Sequence, residues 1–103
     1  MVVAPGENGE VCIESNTPVD VVVDLNGYHT AASSYEGMNP PVRAYDSRNA
    51  GGRLSAFQIR EIQIAGANGV PASASGVDLN VTVTNTTGPD ASYVTVWPCG
   101  TPA

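Results

Sequence analysis

The chain of 103 residues contains no lysine, and its four basic residues, Arg43, Arg48, Arg53 and Arg60, stand against ten carboxylates for a formal net charge of −6. Clustered cations are what hold a phosphate backbone, so nucleic acid is not an expected partner. An acidic surface is equally unsuited to anionic lipid headgroups. No apolar run approaches the roughly 20 residues of a membrane-spanning helix, and no membrane insertion is expected. Histidine occurs once, as His29 after Asn26-Gly27-Tyr28, with no nucleophile motif beside it. It reads as an exposed loop histidine rather than a catalytic base. A paired base and nucleophile, a metal-ligand cluster and a length able to enclose a substrate are all missing from the pattern, so the chain is read as non-enzymatic, with no cofactor and no metal. Met1-Val-Val-Ala-Pro5 has neither a basic start nor a long apolar stretch, which is expected of a piece cut from a longer precursor rather than of a leader.

Cysteine is scarce too. Cys12 and Cys99 are the only two, each on or beside strand-like sequence. Two lone cysteines and one distant histidine do not make a four-ligand metal site. A disulfide and a pair of buried thiols remain, and the disulfide, with the oxidising compartment it requires, is the favoured reading.

What the chain does have is alternation. In Val77-Asp-Leu-Asn-Val-Thr-Val-Thr-Asn85 the apolar side chains fall at 77, 79, 81 and 83, with polar residues between them. That period of two is the signature of a half-buried strand. Similar segments are predicted over 1–4, 10–14, 19–25, 42–45, 57–64 and 92–97, and none keeps a helical period. Val22 breaks the polar face formed by Asp20 and Asp24, so part of that face is expected to be covered. In 57–64 the parity slips, since Phe57 and Ile59 share one face and Ile62 and Ile64 the other; a bulge near Arg60-Glu61 would reconcile them. Asn8-Gly9 supplies a turn with positive φ. His29 to Pro41, rich in small residues and ending in Pro40-Pro41, reads as an internal linker or long loop. About seven short strands punctuated by Gly, Pro and Asn predict a single all-β module, an antiparallel sandwich for which a jelly-roll-like arrangement is one option.

Few side chains stand out as ligand-binding. Asp46 and Arg48, with Arg43 nearby and Tyr45 adjacent, form the densest charged cluster. Its first reading is structural: a carboxylate bonded to turn amides and forked by an arginine. Its second is a grip on sugar hydroxyls beside Tyr45. Tyr93, Thr95 and Trp97 share a strand face opposite Val94 and Val96. With the valines inward, Tyr93 and Trp97 would make a platform for sugar rings; with both faces covered, Trp97 is packing near the cysteines, and burial is favoured. Asp20 and Asp24 lie about 13 Å apart along an extended strand, too far to share one ion. Loop carboxylates such as Asp46 or Asp90 are a weaker calcium reading. Asn80-Val-Thr82 and Asn85-Thr-Thr87 match the glycosylation pattern but read as strand surface.

Gly69-Val-Pro-Ala72, Leu79-Asn-Val-Thr-Val-Thr84, Tyr93-Val-Thr-Val-Trp-Pro-Cys-Gly-Thr101, Val22-Val-Asp-Leu-Asn-Gly-Tyr28 and Arg43-Ala-Tyr-Asp-Ser-Arg48 together resemble the tandem-repeat β domain of secreted actinobacterial proteins. In the last motif Ser47 stands where that family usually has threonine. The resemblance implies an extracellular module of a surface protein or secreted enzyme, and it places Cys12 and Cys99 in one sandwich. The order of motifs departs from the family's, because the closing half precedes the opening half. A stretch expected to follow Thr101, with its strand, is also missing. The resemblance thus implies either a permuted domain short of one strand or a piece straddling two repeats. Either leaves a sheet edge with unpaired backbone groups, from which association with another copy or a neighbouring repeat is expected. The function expected is a structural or adhesive module, with carbohydrate binding as the alternative.

Overall fold

A computed structural model of the chain describes residues 1–31, 34–84 and 93–101. Among the described residues seven strands form, in chain order: β1 (Val2–Val3), β2 (Glu10–Ser15), β3 (Asp20–His29), β4 (Glu36–Asp46), β5 (Ile59–Gln63), β6 (Gly76–Thr84) and β7 (Val94–Pro98). They pair antiparallel throughout in a four-stranded sheet, β1-β6-β3-β4, and a three-stranded sheet, β5-β2-β7. Successive strands change layer at every connection except the β3–β4 hairpin. The all-β sandwich expected from alternation is what forms.

Each strand's apolar parity builds the interior. Val21, Val23 and Leu25 of β3 and Val77 and Leu79 of β6 face Val11 and Ile13 of β2 and Ile62 of β5. Val19, Leu54, Ile64 and Val70, from the connections, close the same cluster. Fully burying a side chain of this size contributes about 1.5–3 kcal/mol. The alternation is therefore what selects the register, since a slip of one residue would turn every valine outward. β3, flanked by β6 and β4, has both of its edges paired. Val22 is buried on its outer side, between Thr82 and Asp46 in register, as the break in that polar face predicted.

Glu7–Gly9 forms a single 3-10 turn with Asn8 and Gly9 both at positive φ, the conformation Asn-Gly adopts most readily. Before it, Gly6 passes so close to Pro98 and Cys99 that a Cβ would meet their backbone. Glu7 N–H then donates to the Cys99 carbonyl at 2.8 Å, tying the entry of β2 to the end of β7.

Two expectations are corrected. The stretch 29–41 is not wholly linker: β3 runs through His29, and β4 already begins at Glu36. Pro40-Pro41 fits there because β4 is an edge strand, where a missing N–H breaks no inner ladder. The prolines also lie in an irregular stretch, where residues 38–41 of β4 stand against Asn26 alone on β3. The second correction concerns β5, which carries no bulge: Glu14 to Glu10 pair with Ile59 to Gln63 in unbroken register. Phe57 and Ile59 are therefore exposed, at 63% and 53%. Arg60 takes the position opposite Ile13 and sends its guanidinium out to the Tyr45 hydroxyl and the Gly52 carbonyl. A long aliphatic stem with a charged tip can do this at a layer's margin where an isoleucine is not needed.

Candidate functional site

The charged cluster singled out in the sequence sits where β4 ends. Asp46 is buried, and its two carboxylate oxygens accept a fork from Arg48, Nε to Oδ1 at 2.9 Å and an Nη to Oδ2 at 2.8 Å. The Arg48 amide donates to the same Oδ1 at 3.0 Å, and Arg43 reaches Oδ2 at 3.4 Å. The Asp46 carbonyl accepts from the amides of Asn49 and Ala50, closing the turn that leaves the strand. The Arg48 hydrogen bonds to its side chain hold the Asp46 carboxyl down to about 2; partial burial opposes this, and the Arg48 amide and the charges of Arg48 and Arg43 add to it. Both carboxylate oxygens are thus engaged inside the turn. Arg43 also pairs with Asp24 at 2.6 Å, which faces it across the β3–β4 ladder.

Behind this turn lies a polar contact that the sequence did not advertise. Ser47 is fully buried; its hydroxyl donates to Asp20 Oδ1 at 2.7 Å and accepts from the Val21 amide at 2.9 Å, while its own amide donates to the Val21 carbonyl at 3.0 Å. Ser47 therefore continues the β3–β4 ladder with a side chain. Tyr45 packs against the interior and donates its hydroxyl to the Ala50 carbonyl at 2.7 Å. Tyr45, Asp46, Ser47 and Arg48 together fasten one turn.

Trp97 and Tyr93 part company. Trp97 is 8% exposed and packs with Cys12 and Cys99 in a small cluster separate from the main interior. The two cysteines of this one chain are bridged, with a Cα separation of 5.1 Å. Tyr93, just before β7, is 61% exposed, and its amide is held by the Asn16 side chain at 2.8 Å. Across the outer face of the three-stranded sheet, register aligns Ile59, Glu14 and Thr95 in one row, and Tyr93 precedes Thr95 by two residues. Exposed Ile59 lies in this sheet, with exposed Phe57 and Tyr93 just before its strands β5 and β7, whereas the Asp46 turn belongs to the other sheet. The structure does not bring the five candidate ligand residues into one site.

His29 lies beside Tyr35, with ring centroids 5.1 Å apart and the planes tilted by 60°, and its Nδ1 contacts the Ser34 carbonyl. Among the described residues no group of three His, Cys, Asp or Glu side chains comes together in a way that could hold a metal ion, and no pocket forms. Asp90 and Asn85 lie outside the described residues. Among the described residues no helix is long and apolar enough to cross a membrane. Comparison of the chain with protein-family models, curated proteins and solved structures finds no match.

Proposed function

We propose that this chain is a non-catalytic structural or adhesive module of a secreted or cell-surface protein, acting by association through an open sheet edge. The observation that carries the reading is the unequal finish of the two layers. Among the described residues β7 ends the three-stranded sheet paired on one side only, with β2, and carries no charge over Val94–Pro98, whereas the four-stranded sheet ends on β4, with Pro40-Pro41 and the exposed Arg43. Such an edge is a template for another strand. The Cys12–Cys99 bridge supports an oxidising, extracellular setting. So does the set of motifs similar to the tandem-repeat β domain of secreted actinobacterial proteins. Sedimentation equilibrium over a wide concentration range tests the reading. Reversible oligomers are expected, and a monomer at every concentration refutes it.

A second reading, carbohydrate binding, draws on Tyr93, whose exposed ring stands just before β7, in the sheet that also holds β5 with exposed Ile59. Aromatic faces of this kind stack on sugar rings. Trp97 offers less, being packed with the bridge, and Asp46 and Arg48 are engaged with each other. A glycan array probed with the oxidised protein and with Tyr93→Ala tests it: hits lost in the variant support the reading, and an array without hits removes it.

A further inference from the structure

We infer that the outer face of the β5-β2-β7 sheet docks a protein partner through an exposed arginine of that partner, its guanidinium forked onto Glu14 between Phe57, Ile59 and Tyr93. This goes beyond the self-association proposed above, which uses a sheet edge rather than this face. It also names a different occupant from the sugar ring of the second reading.

The backbone gathers these residues. Ile59, Glu14 and Thr95 stand in one register row. Just past that row, the Phe57 amide donates to the Ser15 carbonyl at 2.7 Å on one side of the chain leaving β2. On the other side the Tyr93 amide donates to Asn16 Oδ1 at 2.8 Å, and the Tyr93 carbonyl accepts from the Asn16 amide at 3.4 Å. The two aromatic residues therefore flank the end of β2, with backbones about 10 Å apart at the usual spacing of neighbouring strands.

Phe57 is held there against its own preference. The turn 55–58 is closed by the Gln58 amide on the Ser55 carbonyl at 3.0 Å and by the Ser55 amide on the Gln58 side chain at 2.8 Å. Phe57 occupies its third position at φ 63°, where glycine or asparagine is usual. A bulky residue in left-handed backbone is strained. Burial within the chain does not offset this, because the side chain is 63% exposed. Strain retained to display an aromatic ring is a sign of something the ring contacts.

Charge selects the occupant. Glu14 is half-buried between Ile59 and Thr95, and Glu61 stands exposed two residues beyond Ile59. Among the described residues neither carboxylate has a hydrogen-bond or ion-pair partner. The chain's own arginines are engaged elsewhere: Arg43 and Arg48 with Asp24 and Asp46, Arg60 with Tyr45 and Gly52, Arg53 with the Pro18 carbonyl. A carboxylate among apolar neighbours gains most from a cation that arrives together with the surface covering it. Arginine suits this face better than lysine, since its plane stacks on aromatic rings while its fork meets a carboxylate. The formal net charge of −6 also speeds the approach of a basic partner.

The test uses the oxidised full chain and fluorescein-labelled hexa-arginine in fluorescence polarisation, with hexa-lysine and the neutral sugar cellohexaose as competitors. Hexa-arginine is expected to bind, more weakly as salt is added, and at least about threefold more tightly than hexa-lysine. Glu14→Gln and Phe57→Gly are each expected to weaken it at least about fivefold. Glu7→Gln, which removes an equal charge from the turn before β2, is expected to change it by less than about twofold. Phe57→Gly should leave Tm unchanged or raised, because glycine accepts this φ. A Tm lowered by more than about 5 °C would mean that the ring holds the fold, and would overturn its assignment to a partner. Equal weakening by Glu7→Gln and Glu14→Gln would reduce the effect to net charge and overturn this face. Displacement by cellohexaose would overturn the arginine in favour of the sugar, and no binding of hexa-arginine overturns the inference outright. Each of these failures leaves self-association, read by sedimentation, standing.

Discussion

Reducing the Cys12–Cys99 bridge is the perturbation with the largest calculable effect. The bond joins residues 87 apart, and the ring it closes contains every strand from β3 to β7. The chain-entropy argument assigns a loop of that length a ceiling of about 4.6 kcal/mol, and measured losses for native bridges in small domains run about 2–5 kcal/mol. The unfolding entropy of about 2.1 cal/mol/K per residue, taken over 103 residues, amounts to about 0.22 kcal/mol/K. Losing about 2–4.6 kcal/mol then lowers Tm by about 10–20 °C. The local structure adds a second readout. Trp97 is the only tryptophan and packs directly with the bridge, so its emission reports on that corner of the molecule. Thermal melts of oxidised and reduced protein, followed by far-UV circular dichroism and by Trp97 fluorescence, are the assay. Iodide should quench the oxidised protein weakly, because Trp97 is 8% exposed. A Tm that falls by less than about 5 °C would refute the premise that this ring restrains the unfolded chain.

Three further perturbations follow from single contacts. Ser47→Ala leaves the buried Val21 amide without its acceptor and takes a donor from Asp20; urea unfolding should show a loss of about 1–3 kcal/mol, and a change below about 0.5 kcal/mol argues against a clamping role. Asp46 has its carboxyl lowered from 3.8 to about 2, so its contribution is complete above pH 4 and disappears as the pH falls through 2. Wild type should therefore lose Tm more steeply than Asp46→Asn between those pH values, and parallel curves would discard the Arg48 fork as the cause. Gly6→Ala places a methyl group against the backbone of Pro98 and Cys99; a loss of at least about 1–3 kcal/mol is expected in the same unfolding assay, and an unchanged midpoint would mean that the approach is not tight.

Much of this fold could be read before any contact was known, and the reason is local. Alternation over 77–84 and 19–25 is written in neighbouring residues, and burial of one face follows from it wherever the strand finds a partner. Asn8-Gly9 specified its turn through backbone preference alone. The readings that needed correction depended on partners. Pro40-Pro41 resembles a linker until β4 is known to be an edge. Phe57 and Ile59 look like interior residues until the unbroken pairing of β5 with β2 turns them outward. The local signal there, Arg60 between two isoleucines, is ambiguous because an arginine can line a layer's margin or face the solvent.

The candidate site divides along the same line. Arg43-Ala-Tyr-Asp-Ser-Arg48 could be picked out as a charged cluster, and an arginine two residues beyond an aspartate is within reach of a fork. Nothing in the sequence indicated that Ser47 would bond Asp20, 27 residues away, or that Arg60 would meet Tyr45. By itself, the sequence determined the strand count, the turn at Asn8-Gly9 and the apolar face of each main strand, because those depend on backbone preference and a period of two. Tertiary structure alone decided which strands became edges and that the cysteines packed on Trp97, because these depend on distances between residues far apart in the chain.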